Sequence, residues 1–486
     1  MTRYTQNDYL YRRLGPWPQP SPDHPHGKAP AVVHIPPSEQ RRWNRRIGRR
    51  YVIDLLTRWP KAAWLSITRP TYDDLSNEGF EALLTEGIYT RFLCPTLDPI
   101  DEERFAPLLA EAGDDTVFFK MDFSPIADVK PLPGMYVAAS VVLVRRDGDG
   151  PLKVVGIWIN DLLLRPSDPA YHRAKYFVMQ GAAYGILFTV HPNLHFPFDS
   201  VNAITKTAVP VRHPLFRLLE PHLDYQLALN NAVLNMPGTV IAENPKVPYA
   251  PFTARATDGL MAFFTAGYAG IEGNSAYPPY DYVERPHRTE GLYSAFLDAY
   301  YPPFLAFAKK VCQHIDRGDP IVVDWARYIR QWIPGFGGVR KAERCRDLDF
   351  DIFDRPDRLP EVLAGFLWDV TVAHATDHQT FGHDIGVYQH CLRLRVPPPS
   401  SPTDTCAQGD LVWRRDLFRA HLAEMMFFIP RTLQSLMTVE YRFEQPELCE
   451  AARQFKEDLR AVEASLDAKG IPHYMGLYEF SASIQY

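Results

Sequence analysis

Two pairs of histidines, far apart in the chain, have the spacing that chemistry on a metal ion needs. His191 and His195 stand four residues apart at the end of a long apolar run, and His374 and His378 repeat that spacing inside FLWDVTVAHATDHQTFGHD. On a helix, positions i and i+4 lie on one face, so each pair can aim two imidazoles at one point. Two such helices side by side supply a ligand set to the interior of a bundle. Imidazoles without cysteine suit iron, manganese, copper or zinc. Neither pair has a glutamate directly after its first histidine, as zinc proteases do, and this disfavours hydrolytic zinc chemistry. Asp377 and His383 are near enough in sequence to support such a cluster from outside it.

The elements that must position these side chains can also be read from the sequence. Residues 174–190 are almost wholly apolar or small, so a helix there is buried on every side. The stretch it opens, 174–231, also holds His213 and His222. The 374/378 pair sits on a second apolar helix. The last residues, IPHYMGLYEFSASIQY, stay apolar and aromatic to the end, whereas most chain ends are polar and frayed. Such an end is expected to be drawn inside, where its carboxylate needs a cation or hydrogen-bond donors.

Several segments resemble one family in order. RHPLFRLLEPHLDYQLALNNA, residues 212–232, is similar to the lipoxygenase run of His-Pro, Leu-Leu, Pro-His and Asn, with His213, Pro214, Leu218, Leu219, Pro221, His222 and Asn230 in those places. LKVVGIWI followed by AKYFVMQGAAY resembles the family's strand and the start of its long central helix. HATDHQTFG resembles its His-Ala-x-x-Asn-Phe-Gly segment, with His378 where Asn stands. FSASIQY is similar to its terminal Asn-Ser-Ile-x-Ile, with Ser483 and Ile484 matching and Tyr486 last. The likeness covers roughly residues 150–486.

This resemblance implies a mainly α fold, a lipoxygenase-like helical catalytic domain around a long central helix with a small β-hairpin element, in a compact form without an amino-terminal β-barrel. It implies one non-haem iron, or manganese, held by His191, His195, His374, His378 and the carboxylate of Tyr486. His191, His374 and His378 form the implied catalytic set. Alignment from Lys175 instead puts the first ligand position at Gly185 or Ile186, which leaves open whether His195 ligates. Leu187, Leu194 and Ala232 fall beside the implied substrate channel. The implied reaction takes a hydrogen atom from a carbon between two cis double bonds and lets O2 capture the radical, the metal acting as a redox acceptor. The implied partners are an apolar small molecule and O2. Two other readings keep the fold: an oxygenase for a biosynthetic small molecule that is not a fatty acid, and a metal-free protein that binds a lipid or a partner.

Composition bounds the rest. A 46% hydrophobic share supports a large core, and a net charge of −6 gives no reason to expect nucleic acid. Six scattered cysteines lack pairing or metal spacing and read as reduced thiols, hence a cytoplasmic protein. MTRYTQNDYL does not read as a signal peptide, and no apolar run stands clear enough to span a membrane. RRWNRRIGRR at 41–50 carries six arginines ahead of YVIDLLTRW, a helix with a solvated basic face or one that touches anionic headgroups in weak peripheral membrane contact. Residues 1–50 read as a proline- and arginine-rich arm, and 51–486 as a single helical metal-binding catalytic domain. MYVAASVVLVRR and PLKVVGIWI around DGDG predict a β-hairpin. EGFEALLTEGIYTRFL and DEERFAPLLAEAG predict amphipathic helices, and PELCEAARQFKEDLRAVEASLDAKG predicts a solvent-facing one.

Overall fold

The computed structural model describes residues 4, 10–13, 30–68, 75–128, 131–186, 194–195, 197–235, 291–332, 357–383, 393–423, 425 and 434–485. A short antiparallel pair, β1 (Leu10–Arg13) and β2 (Pro30–His34), comes first. It is followed by one helical run, in which α1 (Pro37–Trp43) passes through a π turn into α2 (Arg49–Thr68). The two amphipathic stretches become α3 (Asn77–Glu86) and α4 (Pro99–Leu109). Each begins at a capping side chain: Ser76 accepts from Gly79 N–H, and Asp98 forms a capping box with Asp101.

The Asp-Gly hairpin is present as β4 (Ser140–Asp147) and β5 (Lys153–Ile159), inside a four-stranded antiparallel sheet ordered β3-β4-β5-β6. The added strands are β3 (Thr116–Asp122) and β6 (Leu162–Leu164). Alternation along β4 explains why both faces are covered. Val141 and Leu143 pack with Phe105 and Leu108 of α4, while Val142 and Val144 join the main core.

On that inner face lies α5 (Tyr171–Gly185). Every residue of it except His172 is buried, as the apolar run predicts. Its buried polar groups are paired at a distance. Lys175 Nζ donates to the Leu75 carbonyl and to Asn77 Oδ1, and Gln180 Nε2 donates to the Tyr136 carbonyl at 3.0 Å. The small residues are contact points: a Cβ at Gly181 would stand 2.5 Å from the Phe123 Cβ.

Beyond α5 come α6 (Pro197–Ala208), α7 (Pro214–Leu219) and α8 (Gln226–Asn235), then α9 (Leu292–Ala299), α10 (Tyr301–Cys312) and α11 (Pro320–Trp332). The second histidine pair rides on α12 (Arg358–Trp368), which runs through a π turn (Asp369–Ala373) into α13 (His374–His383). α14 (Arg414–Ala423) and the long α15 (Pro446–Ala468) complete the shell. α15 buries Leu448, Ala452, Phe455, Leu459 and Leu466 along one face and turns the opposite face to solvent.

The tail enters the core. Residues 480–485 are all buried. Leu436 N–H donates to Phe480 O and Ala482 N–H to Gln434 O, each at 2.8 Å, and Ser483 Oγ donates to Asp224 O at 2.8 Å. Tyr486 lies outside the described residues.

The approach of Phe123 to the innermost helix gives a direct test. Gly181→Ala should destabilise the fold by about 1–3 kcal/mol, because the new methyl meets a fixed side-chain root rather than a flexible tip. Thermal unfolding of the purified variant measures it.

Candidate metal centre

Three imidazoles meet in the interior. His195 comes from the segment entering α6, and His374 and His378 come from α13; all three are buried. A ligand nitrogen from each can be chosen so that all lie within 4.8 Å of one another, and among the described residues this is the one such cluster of His, Cys, Asp or Glu. His374 and His378 have ring centroids 4.7 Å apart, as the four-residue spacing on one helix face requires. His195 faces His374 at the same centroid distance, with the two Nε2 atoms 2.9 Å apart. The π turn lies directly before His374, in the helix that must aim both rings.

A chain of hydrogen bonds fixes the orientation of His195. Asn230 Nδ2 donates to Asp199 Oδ1 at 2.7 Å, and only the amide nitrogen can do so to a carboxylate. Asn230 Oδ1 is therefore left as the acceptor for His195 Nδ1–H, at 2.8 Å. That tautomer leaves a lone pair on Nε2, on the side of His374. The backbone is held as well: Gln226 Nε2 donates to His195 O at 3.0 Å, and Asn202 Nδ2 in turn donates to Gln226 Oε1 at 3.0 Å.

Burial keeps His195 and His378 neutral. Loss of solvent pushes the His195 pKa down to about 4, against the opposing effect of Asn230, and pushes His378 down to about 3, with His195 adding to the fall. Neutral imidazoles with fixed tautomers are what a divalent or trivalent ion binds. The 2.9 Å between Nε2 atoms also suits an ion. Two nitrogens about 2.1 Å from one centre and at right angles around it are about 3 Å apart. The residues present fit a metal.

The remaining sequence-derived residues divide. His191, Leu187 and Tyr486 lie outside the described residues. Leu194 and Ala232 are buried, the first next to His195 and the second two residues beyond Asn230 on α8. His383 ends α13, its side chain outside the described set. Asp377 acts on the histidines only through the helix that carries them: its carboxylate takes a two-point ion pair from Arg91, at 2.8 and 2.9 Å, and accepts from Tyr293 Oη at 2.6 Å. These contacts tie α13 to the 3-10 turn that carries Arg91. His213 caps α7, accepting from Leu215 N–H. His222 sits against the tail, with Nδ1–H donating to Ala482 O at 2.6 Å and Nε2 2.8 Å from Tyr441 Oη. The orienting roles of Asp199, Asn202 and Gln226 carry no sequence signal beyond their lying on helical turns; Asn230 is marked by the motif it belongs to.

No family model matches the chain. It is 24% identical to a polyunsaturated fatty acid lipoxygenase of Mus musculus over 383 residues, 72% of this chain and 55% of that protein. The chain thus spans about half the length of that relative. Among solved structures it superposes on a coral 8R-lipoxygenase with a TM-score of 0.70 and 15% identity, covering 99% of this chain and 80% of the other. The manganese lipoxygenase of Gaeumannomyces graminis gives a TM-score of 0.68 and 14% identity, covering 99% and 96%. At such identities these superpositions establish the fold.

His222 offers a test by pH. Burial lowers its pKa to about 4, the Ala482 carbonyl opposing. The unfolded value is about 6.5, so between those values the unfolded chain binds a proton that the folded one refuses. Stability from this group is full above the upper value and falls as pH drops toward the lower one; His195 and His378 are shifted in the same direction in the metal-free protein. His222→Gln should lower the melting temperature at neutral pH. It should also reduce proton uptake on unfolding by about one in that window, read from melting temperatures across an acid series.

Proposed function

We propose that this chain, which belongs to the lipoxygenase family, is a non-haem iron or manganese dioxygenase that adds O2 to a polyunsaturated fatty acid or a related lipid. The observation that carries the reading is the convergence of His195, His374 and His378 in the interior with the His195 tautomer fixed. The mouse relative is a polyunsaturated fatty acid lipoxygenase and the Gaeumannomyces graminis neighbour a manganese lipoxygenase, which supports both the substrate class and the choice of metals.

A bound iron or manganese ion would supply the one-electron redox chemistry that removes a hydrogen atom from a carbon between two cis double bonds. The chain's own residues prepare the place. Asn230, itself set by Asp199, holds the His195 Nδ1 proton and so keeps Nε2 available. Val370, Val372, Ala373 and Ala375 are buried on the same helical run and exclude water, which keeps the imidazoles uncharged. The Arg91–Asp377–Tyr293 contacts anchor α13 so that both its rings face His195. In this reading His191 and the carboxylate of Tyr486 complete the ligand set, and Leu187, Leu194 and Ala232 border the acyl chain. The four described cysteines are thiols rather than disulfide halves, which supports a cytoplasmic setting.

Metal analysis of protein purified without added metal, followed by incubation with linoleate under oxygen, tests the proposal. About one iron or manganese per chain is expected, lost in His374→Ala and bound about 10–100-fold more weakly in Asn230→Ala. Conjugated diene should form with the loaded wild type. Metal near zero that reconstitution does not restore would turn the reading into that of a lipid binder. A loaded protein inert toward linoleate would leave the oxygenase and remove the fatty acid.

A further inference from the structure

The amphipathic helix α2 is inverted. Its stripe toward the protein holds Asp54, Ala62 and Ser66, all buried, and Ala62 with the half-buried Leu65 rests on Phe418 and Leu422 of α14 and on Met425 beyond it. Most of the large apolar side chains occupy the other arc, with Trp59 at its edge, where its ring also meets Phe418. Val52, Leu56, Trp59 and Ile67 follow one line of the helix and are 59%, 72%, 55% and 61% exposed, with Trp64 beside them at 60%. Surface helices normally do the reverse. Single exposed apolar residues mean nothing, but contiguous ones mark a contact surface. Seven of the thirteen large apolar side chains that are exposed among the described residues lie on this one helix.

Charge identifies the occupant. The helical run leading into α2 exposes Arg41, Arg45, Arg46 and Arg49, and the first turn of α2 has no acidic residue. The whole chain carries a net charge of −6, so this basic patch is local. A basic stretch continuous with an apolar arc bearing two tryptophans complements a surface that is anionic outside and apolar beneath. No helix among the described residues is long and apolar enough to cross a membrane, so contact would be made lying in the interface.

We propose that α2 docks on an anionic lipid bilayer, its apolar arc among the upper acyl carbons and the preceding arginines on headgroup phosphates. The proposal stands independently of the metal and of any oxygenation.

Flotation of the full chain with phosphatidylcholine vesicles, with and without phosphatidylserine, tests it. Wild type should float with the mixed vesicles and much less with phosphatidylcholine alone. The double change Leu56→Glu, Ile67→Glu should cut the bound fraction by about tenfold or more. Arg45→Gln with Arg46→Gln should cut it several-fold, and added salt should reproduce that loss. Melting curves establish that each variant is folded; if the glutamate pair unfolds, Leu56→Ser with Ile67→Ser decides. Wild type that stays off both vesicles, or binding unchanged by the Leu56/Ile67 variants, overturns the proposal. Sedimentation showing a dimer that those variants dissociate, with no vesicle binding, overturns it too and assigns the face to a second copy.

Discussion

Three imidazoles can occupy a few ångströms of protein interior only if none carries an extra proton. Dry surroundings enforce this, because a charged ring loses its hydration and meets a like charge at once. The same surroundings raise the cost of an ill-placed proton, so the tautomer must be fixed by groups that are themselves fixed. Asp199 determines which end of the Asn230 amide points to His195, and Asn230 determines which nitrogen of His195 holds its proton. Each link of that chain is a buried hydrogen bond, and the arrangement therefore depends on the helices α6 and α8 staying in register.

The fold supplies dry surroundings by burying all of α5 but His172 against the inner face of the sheet. Such burial is possible because the polar atoms of α5 reach out to backbone carbonyls elsewhere in the chain, as Lys175 does to Leu75 and Gln180 to Tyr136. The ion pair of Arg91 with Asp377 has a different effect. A buried pair of this kind is weak evidence for stability, but breaking one side of it is costly, so it penalises any rotation of α13 about its axis. Rotation is what would carry His374 and His378 away from His195.

Much of this was legible in the sequence, within the range over which local pattern reports geometry. The four-residue spacing of His374 and His378 gave one face of one helix, and the apolar run gave a buried α5. The β-branched runs around an Asp-Gly turn gave β4 and β5. The sheet's outer strands were not legible: β3 lies among helical sequence without a turn signal of its own, and β6 has three residues. Asp377 shows the limit more sharply. Its position between two histidines suggests a role beside them, yet its carboxylate is taken up by Arg91, a partner 286 positions away. Asn230 lies 35 residues from the ring it orients. Contacts of that range leave no trace in spacing, and here the motif marked Asn230 without revealing what it touches.

The basic run before α2 shows a related limit of local reading. By composition it is a charged helix, and charged helices face water. What the fold adds is the direction of the other residues: with Asp54, Ala62 and Ser66 turned inward, Val52, Leu56, Trp64 and Ile67 are left facing out. Neither the arginines nor the apolar residues alone would set this helix apart from an ordinary amphipathic one. Their combination on the outer side does, because water hydrates one class and rejects the other, whereas a headgroup layer over hydrocarbon accommodates both at their own depths.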